Sequence, residues 1–364
     1  MCIGVITFLF GTWILFTLGS ISYFGGPYFN TVKKQLQPLR KNASEKQFTI
    51  LFHAIPTWFD PKTFNVDDCS YKNCKLITDK KLLLTSEAVI FHHNSFSTLP
   101  DKPSGQIWIF ATLESPYHTR ESKKLQMKFN WTMTYRRDSE GFSPYGFLRK
   151  QLHKPVKNYN AIFMNKTKSI AWVVSNCRSP SKRHAYVKEL SKYIDVDIYG
   201  GCGKPCLFEG EDCKIHLSKS YRFYLSFENS LCKDYMSEKI FRMYSDSIDF
   251  IPIVRGAPNA KDYLPQKTYI STSDFQSPQK LAAFLKTISR DKTRYISYLK
   301  EKHKYLADKK EIFYLGLCDI CYHLNVKKQK SKTIDLHKWL WKNQCHMPND
   351  IHAEMGLITF NVIH

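Results

Sequence analysis

The second half of the chain alternates short apolar runs with segments of helical pattern, and this alternation constrains the fold most strongly. Five runs predict strands, at residues 170–174, 196–199, 223–227, 251–254 and 269–270. Three further segments predict helices, at residues 182–194, 238–247 and 278–289. Strands separated by helices are typical of a parallel sheet with crossover connections. The sequence therefore predicts an α/β domain.

The first half is less regular but indicates the same class. Its short apolar runs are bounded by turn residues, a pattern typical of strands that are buried on both faces. These runs lie at residues 48–52, 82–84 with 88–91, and 107–110. A chain of 364 residues has room for about two domains, and its 43% hydrophobic content excludes a disordered class. We predict a first α/β domain over 48–155, a polar linker over 156–168 and a second domain over 169–326. The second domain includes a closing helical segment over 295–324, and the tail 327–364 stays unassigned.

The N-terminal residues predict a membrane anchor. No charged side chain occurs between Cys2 and Pro27, and the apolar run reaches the roughly 20 residues that cross a bilayer. A cleaved signal peptide is the alternative, but the run is long and lacks a basic start. We predict a transmembrane signal-anchor over residues 1–27 and a stem over 28–47.

The orientation of the anchor rests on conflicting signals. Basic residues follow the span, which by the positive-inside rule would place the next segment in the cytoplasm. Acceptor sequons for N-glycosylation at Asn42, Asn130 and Asn165, together with eleven cysteines, instead fit a secretory lumen. We predict that the folded region is lumenal.

The formal net charge is +22, which raises the question of a nucleic-acid partner. The lysines are scattered along the chain and no nucleic-acid-binding motif accompanies them, so we expect no such partner. A basic field would also attract a phosphate-bearing substrate.

Residues 223–256 carry the densest set of chemical groups. An apolar run ends in Glu228 and Asn229, and a new helix opens at Ser237 with Glu238 and Lys239 in its first turn. Helix N-termini bind anions, so Lys239 could neutralise a phosphate while Glu238 faces a developing positive charge. Helix capping by Ser237 explains the same residues without a ligand.

Two further sites stand at strand ends, where active sites of α/β proteins lie. Glu114 ends an apolar run and precedes a Ser-Pro turn, so it could act as a general base or simply cap the turn. Ser175, Asn176 and Arg183 follow another run, and the planar guanidinium of Arg183 could hold two phosphate oxygens. A solvated arginine on a capped surface helix is the alternative.

These motifs together resemble the α1,3-fucosyltransferases. The likeness is carried by 227–230 (Phe-Glu-Asn-Ser), 234–239 (Asp-Tyr-Met-Ser-Glu-Lys), 251–256 (Ile-Pro-Ile-Val-Arg-Gly) and 114–116 (Glu-Ser-Pro). Ser226, Ser237 and the pair Asp249 and Phe250 depart from the usual pattern without removing a charged group. The resemblance implies a GT-B architecture, with two Rossmann-like domains facing a cleft and one transmembrane helix before them. It also implies a single-pass type II protein of the Golgi membrane.

The resemblance further implies an inverting transfer of L-fucose from GDP-fucose to O3 of GlcNAc. Glu114 would be the base and Glu238 the neighbour of the charged sugar. The implied donor-binding residues are Ser175, Asn176, Arg183, Asn229, Tyr235 and Lys239. No metal is needed if Arg183 and Lys239 supply the positive charge, so the resemblance implies no tightly bound cofactor or metal, with weak stimulation by a divalent cation left open. A catalytically silent homologue that binds a glycan or nucleotide in the lumen is the alternative.

The acceptor is left open between a terminal Gal-GlcNAc unit and the N-glycan core. In the family, a His-His pair precedes an acceptor-specificity position that is Arg or Trp in well-known vertebrate members. Here His92 and His93 precede Asn94, which disfavours α1,4 transfer. Adjacent histidines on a strand point to opposite faces, so a metal pair is disfavoured.

Cysteine spacing predicts disulfides, with zinc sites as the alternative. The candidates are Cys69, Cys74, Cys202, Cys206, Cys213, Cys318 and Cys321. Cys69 and Cys74 could pair locally or bridge to Cys318 and Cys321, whose spacing matches the family. The odd total leaves at least one thiol free, with Cys2 as the candidate.

Overall fold

The computed structural model describes residues 46–121, 125–153, 155–207, 210–308, 313–326 and 332–351. The predicted anchor, most of the predicted stem and the sequon at Asn42 lie outside these residues. Within the described ranges, no helix is long and apolar enough to cross a membrane.

The first half forms a six-stranded sheet in which all neighbouring strands are parallel. Its order is β2-β1-β3-β4-β5-β6. The strands are β1 (Phe48–Ala54), β2 (Cys74–Ile77), β3 (Ala88–His92), β4 (Ile107–Thr112), β5 (Trp131–Thr134) and β6 (Gly141–Phe142). Every residue of β3 and β4 is buried, as expected for central strands covered on both faces.

The second half forms a five-stranded parallel sheet of order β12-β11-β10-β8-β9. Its strands are β8 (Lys168–Val173), β9 (Val196–Tyr199), β10 (Tyr221–Phe227), β11 (Ile251–Arg255) and β12 (Ile270–Ser271). A separate antiparallel pair is formed by β7 (Phe147–Lys150) and β13 (Tyr305–Asp308). Two parallel α/β sheets are therefore confirmed.

Seven α-helices are described: α1 (Tyr159–Asn165), α2 (Arg183–Leu190), α3 (Cys213–Ser218), α4 (Glu238–Phe241), α5 (Pro278–Arg290), α6 (Lys292–Lys302) and α7 (Tyr314–Val326). Helix α5 begins where Ser277 accepts a hydrogen bond from Lys280 N and proline occupies the first helical position. It ends at Asp291, which in turn caps α6 by accepting from Arg294 N. The sequence signals for these two helices are thus local.

The C-terminal residues cover both faces of the first sheet. Leu317, Ile320 and Leu324 of α7 pack with Ile50, Ile90 and Ile109 on one face. Leu336 and Leu340, around a π-helical turn at His337–Trp341, pack with Leu51, Val89 and Trp108 on the other face. Adjacent strand residues point to opposite faces, which is why the core divides in this way. By its contacts α7 belongs with the first sheet, although the predicted second domain extended to residue 326.

Four local predictions need correction. Residues 82–84 lie in a 3-10 helix, Lys80–Thr85, capped by Asp79, and Leu84 is exposed. Helix α4 ends at Phe241, and residues 242–247 form turns and bends where the sequence predicted a helix to 247. The predicted linker contains α1. The helical segment predicted over 295–324 is interrupted by β13, whose backbone pairs with β7.

The disulfides settle the open pairing of the cysteines. Cys69 bridges to Cys318 and Cys74 to Cys321, which ties the first sheet to α7. Cys206 pairs with Cys213. Two further bridges join Cys177 to Cys202 and Cys232 to Cys345.

The cysteine prediction was incomplete in one respect. It grouped Cys202 with its sequence neighbours and omitted Cys177, Cys232 and Cys345. The partner of Cys202 comes from a neighbouring strand end, because β8 and β9 pair in the sheet. Cys2 lies outside the described residues.

The sequons differ in accessibility. Asn165 is exposed at the end of α1. Asn130 is only 4% exposed, and its side-chain oxygen Oδ1 accepts hydrogen bonds from Trp108 N at 2.9 Å and Lys102 Nζ at 2.5 Å. Its amide nitrogen faces Lys332 O at 3.4 Å. A glycosylated nitrogen must reach solvent, so the glycan on Asn130 stays a prediction that requires this side chain to turn outward from its buried position.

Candidate active site

Each sheet has a crevice where its strand order reverses direction. In the second sheet, β8 is followed by β9 on one side and β10 on the other. In the first sheet, β1 is followed by β2 on one side and β3 on the other. Ligands of open α/β sheets bind at the carboxyl ends of strands at such positions. The candidate residues follow β1, β3, β4, β8 and β10, so the topology gathers them.

The crevice of the second sheet holds a cavity of about 320 Å³, here called the second-sheet cavity. The predicted residues that line it are Ser175, Asn176, Arg183, Asn229, Glu238 and Lys239. Lys214 and Arg242 add two further cations. The structure therefore brings the two basic candidates, Arg183 and Lys239, to one cavity although they are far apart in sequence.

A second cavity of about 320 Å³, here called the interdomain cavity, joins residues of both halves. From the first half come Trp58, His92, His93, Asn94, Leu113, Glu114 and Tyr145; from the second come Asn229, Tyr235, Glu238 and Lys239. Glu114 and Glu238 therefore line the same space. Asn229, Glu238 and Lys239 line both cavities, so the two border each other.

Lys239 is held by a buried carboxylate that the sequence analysis did not include among the candidate site residues. Glu228 is 2% exposed and accepts hydrogen bonds from the backbone N–H of Ser237 at 2.8 Å and from its hydroxyl. Lys239 Nζ donates to Ser237 Oγ at 2.7 Å and lies 3.4 Å from Glu228. Gly256 permits this, since a Cβ there would lie 2.7 Å from Glu228 Cγ. The signal for Glu228 was its place at the end of an apolar run.

The charges of this cluster are set by burial and by one another. Burial raises the pKa of Glu228, with Lys239 and Ser237 opposing the shift. Burial disfavours the charge of Lys239, but Glu228 and Glu238 outweigh it and raise its pKa. Burial likewise disfavours ionisation of Glu238, but Lys239 outweighs it and lowers its pKa. The cluster thus keeps a lysine cation and the carboxylate of Glu238 at neutral pH.

Arg183 is built into the wall of the second-sheet cavity. Its guanidinium donates to Phe227 O at 2.8 Å and Asn176 O at 3.0 Å, and it is 3% exposed. Burial lowers its pKa from the usual high value. Within the described residues its Nε has no hydrogen-bond partner. The side chain therefore fixes the ends of β8 and β10 while retaining a donor.

The loop before α4 is held by a strained but well-bonded aspartate. Asp234 has a φ of 61°, and its carboxylate accepts from Tyr263 Oη at 2.6 Å and Asn259 Nδ2 at 2.7 Å. Arg137 from the first half lies 3.5 Å away. These contacts position Tyr235, whose ring meets Tyr135 at 5.0 Å. Tyr235 lines the interdomain cavity but not the second-sheet cavity.

A direct contact joins the turn after Glu114 to the turn after Asn229. Ser115 Oγ lies 2.7 Å from Ser230 Oγ, both fully buried. Tyr145 Oη donates to Leu113 O at 2.7 Å. Because Ser115 follows Glu114 and Ser230 follows Asn229, this contact fixes the separation of the two sides of the interdomain cavity.

The histidines after β3 are neutral side chains of this cavity. Burial lowers the pKa of both His92 and His93 to about 4. His92 Nδ1 lies 3.3 Å from Ser95 Oγ. Both ring nitrogens of His93 are buried without a partner among the residues that the structure describes. His93 therefore offers unused hydrogen-bonding capacity to a polar ligand, and Asn94 is exposed beside it.

One group of metal-ligand type occurs in the described part of the chain, formed by Cys177, His184 and Cys202. The two cysteines are joined in a disulfide and so offer no thiolate. The group therefore does not fit a zinc site.

Comparisons with known proteins agree with this geometry. Residues 163–339 match the family model described as glycosyltransferase family 10 (fucosyltransferase), C-terminal, and residues 45–146 match the model described as fucosyltransferase, N-terminal. The cattle protein (Bos taurus) 4-galactosyl-N-acetylglucosaminide 3-alpha-L-fucosyltransferase 9 is 33% identical over 83% of this chain and 84% of its own length. The Drosophila melanogaster glycoprotein 3-alpha-L-fucosyltransferase A is 34% identical over 87% of this chain and 65% of its own length.

Solved structures share the fold. An alpha1,3-fucosyltransferase crystallised with GDP-fucose superposes with a TM-score of 0.52 at 16% identity, covering 82% of this chain and 96% of the other. One crystallised with GDP gives a TM-score of 0.53 at 14% identity, covering 83% and 97%. Taken with the matched family models and the two relatives, the chain belongs to glycosyltransferase family 10, the fucosyltransferases.

Proposed function

We propose that this protein is an inverting α1,3-fucosyltransferase that moves L-fucose from GDP-fucose to O3 of GlcNAc in glycoprotein or glycolipid glycans. The observation that carries the proposal is the interdomain cavity, in which Glu114 of the first half meets Glu238 and Lys239 of the second. The named activities of the cattle and Drosophila relatives support it.

The donor occupies the second-sheet cavity. Arg183 and Lys239 neutralise the diphosphate, and Ser175, Asn176 and Asn229 line the nucleotide and sugar. Tyr235 shapes the sugar end from the interdomain cavity. Lys239 is held at its position by Glu228 before any donor arrives, so little ordering is needed when the donor binds.

The transfer is a single displacement. The carboxylate of Glu114 takes the proton of the acceptor O3 as this oxygen attacks C1 of fucose. The bond between C1 and the diphosphate oxygen breaks, and its electron pair leaves with GDP beside Arg183 and Lys239. The carboxylate of Glu238 stabilises the positive charge that develops on the sugar ring. Because two cations line the diphosphate position, we expect at most weak stimulation by a divalent cation.

The acceptor is a GlcNAc-containing glycan. The cattle relative is named for a galactosyl-GlcNAc acceptor and the Drosophila relative for a glycoprotein acceptor. Both acceptor types therefore enter the assay. His93 and Asn94 form the acceptor side, and Asn94 in place of Arg or Trp favours strict α1,3 transfer.

The cellular setting follows from the same proposal. A type II Golgi membrane protein with a lumenal catalytic region fits the disulfides and the exposed sequon at Asn165. The anchor would be the uncharged N-terminal run.

The test is an assay of the lumenal region with GDP-fucose and a panel of glycans. The panel contains a galactosyl-GlcNAc glycan, an N-glycan core and glycans without GlcNAc. We expect fucose on O3 of GlcNAc in at least one of the first two. GDP binding without transfer to any GlcNAc-bearing glycan would instead support the catalytically silent homologue.

A further inference from the structure

A third and larger cavity adjoins both parts of the candidate site. It measures about 700 Å³ and is here called the side cavity. It shares Trp58, Tyr145 and Glu238 with the interdomain cavity, and Lys214, Glu238 and Arg242 with the second-sheet cavity. The side cavity therefore borders both cavities of the candidate site.

Trp58 stands where the interdomain and side cavities meet. It follows β1 in a short turn, closed by a hydrogen bond from Phe59 N to Pro56 O, and its side chain is 53% exposed. A tryptophan that is half-exposed within a cleft is unusual, since such a large apolar surface is normally buried. Its exposure therefore calls for a ligand-based explanation.

The indole is braced on its inner side. It stacks on Phe313 with ring centroids 5.2 Å apart and an interplanar angle of 26°, and the edge of His92 meets it at 6.1 Å. Phe313 is fully buried. A braced aromatic ring with one face open can stack against the apolar face of a sugar, at little cost in side-chain entropy.

The charges around the side cavity indicate a neutral ligand. Two cations, Lys214 and Arg242, are outnumbered by three carboxylates, Asp212, Glu238 and Asp308, so the lining has no excess of positive charge for an anionic ligand. His92 and His93, with pKa values lowered to about 4 by burial, add no charge next to Trp58 at neutral pH. A mixed set of donors and acceptors beside aromatic rings suits an uncharged, hydroxyl-rich molecule.

We propose that Trp58 is a sugar-stacking platform and that the side cavity binds the sugar units attached to the acceptor GlcNAc. The inference rests on the proposed function and deepens it. The GlcNAc lies in the interdomain cavity, where Glu114 reaches it together with the nitrogens of His93, which have no partner among the described residues. The next unit stacks on Trp58 and runs into the side cavity. The enzyme therefore selects oligosaccharides over a single GlcNAc.

The test compares Trp58→Ala and Trp58→Phe with the wild type on two kinds of acceptor. One is a single GlcNAc glycoside, and the other is an oligosaccharide, either galactosyl-GlcNAc or an N-glycan core. We expect Trp58→Ala to raise KM for the oligosaccharide about tenfold and KM for the glycoside less than twofold. KM for GDP-fucose should change less than twofold, because Trp58 does not line the second-sheet cavity, and Trp58→Phe should retain most of the preference. Leu84→Ala, which removes another exposed apolar side chain, serves as the control.

The outcomes separate the inference from the proposed function. If Trp58→Ala raised KM equally for the glycoside and the oligosaccharide, or for neither, the platform would be overturned while fucosyl transfer stayed intact. Absence of transfer by the wild type itself would instead reject the proposed function. Circular dichroism of Trp58→Phe and Trp58→Ala, compared with the wild type, shows whether both variants are folded. The oligosaccharide whose KM rises most in Trp58→Ala identifies the glycan that fills the side cavity.

Discussion

The two sides of the cleft differ in how far their polar groups are already satisfied. On the side of the second sheet, Lys239, Ser237 and Glu228 bond to one another, and Arg183 bonds to two carbonyls. On the side of the first sheet, the ring nitrogens of His93 have no partner within the described residues. Among the residues that the structure describes, the donor side also keeps unbonded atoms, Arg183 Nε and Asn229 Oδ1, but its cations are already held by other bonds. The difference teaches that the donor-side cations are fixed in advance, whereas the ring of His93 has both nitrogens free of described partners and available to a ligand.

The largest expected effect comes from removing the carboxylate that anchors the donor side. Glu228→Ala leaves Lys239 without its buried partner and Ser237 without its acceptor. We expect the free energy of unfolding to fall by about 3–5 kcal/mol, measured by urea denaturation. Asp101→Ala, at an exposed carboxylate, is the control and should change little. If Glu228→Ala had the wild-type free energy of unfolding, the donor side would not be held by this network.

The second test removes the bridge between the donor loop and the C-terminal tail. Cys232 and Cys345 close a loop of 113 residues, whereas Cys206 and Cys213 are only seven apart. Replacing Cys232 and Cys345 by serine should cost about 2–4 kcal/mol of unfolding free energy, because the unfolded chain regains freedom.

Replacing Cys206 and Cys213 by serine should cost less, since the shorter loop restrains the unfolded chain less. Equal losses in the two double variants would show that loop length does not decide the effect. The free energies of unfolding of the two double variants are measured by thermal or urea unfolding in the same buffer.

The third test concerns donor affinity. Lys239→Ala removes a cation from the diphosphate position, and we expect GDP to bind about 10- to 100-fold more weakly by calorimetry. Lys188→Ala, an exposed lysine on α2, is the matched control. Unaltered GDP affinity in Lys239→Ala would reject its role at the phosphate.

The smallest expected effect is a pH dependence that marks the acceptor side. The folded pKa of His93 is lowered to about 4 by burial, below its value of about 6.5 in the unfolded chain. The unfolded state then binds the extra proton, so this group costs stability as pH falls from about 6.5 to about 4. Between pH 7 and pH 5 we expect His93 to account for a loss of about 1–2 kcal/mol, so His93→Asn should lose that much less than the wild type, while the loss due to His92 remains in both proteins. Identical pH profiles for both proteins would contradict the buried, neutral imidazole.

Sequence reasoning was strongest where one local signal decides the structure. The runs that became β9, β10 and β11 were predicted almost to the residue, because continuous apolar stretches between turn residues leave few alternatives. The same reasoning failed for residues 82–84, where an apolar run lies exposed in a 3-10 helix. A run of three residues has no measurable period, so its burial depends on tertiary contacts.

The candidate site divides in a similar way. Glu114 stood in a motif at a strand end, and Arg183, Glu238 and Lys239 stood in motifs at helix starts. The structure gathers all four around adjoining cavities. Glu228 lies within one of these motifs, but its role in holding Lys239 was not predicted. That role depends on the lysine eleven residues later folding back over the carboxylate. Trp58 and the bridge from Cys232 to Cys345 depend on contacts between distant segments, which no local pattern reveals.

The central claim is that Glu114 is the base of a fucosyl transfer whose donor is held from the opposite side of the cleft. The most direct measurement is the turnover of Glu114→Gln beside its affinity for GDP, with Glu301→Gln as a distant control. We expect turnover to fall by about 10²- to 10⁴-fold while GDP binds as in the wild type. A folded Glu114→Gln protein with wild-type turnover would contradict the claim.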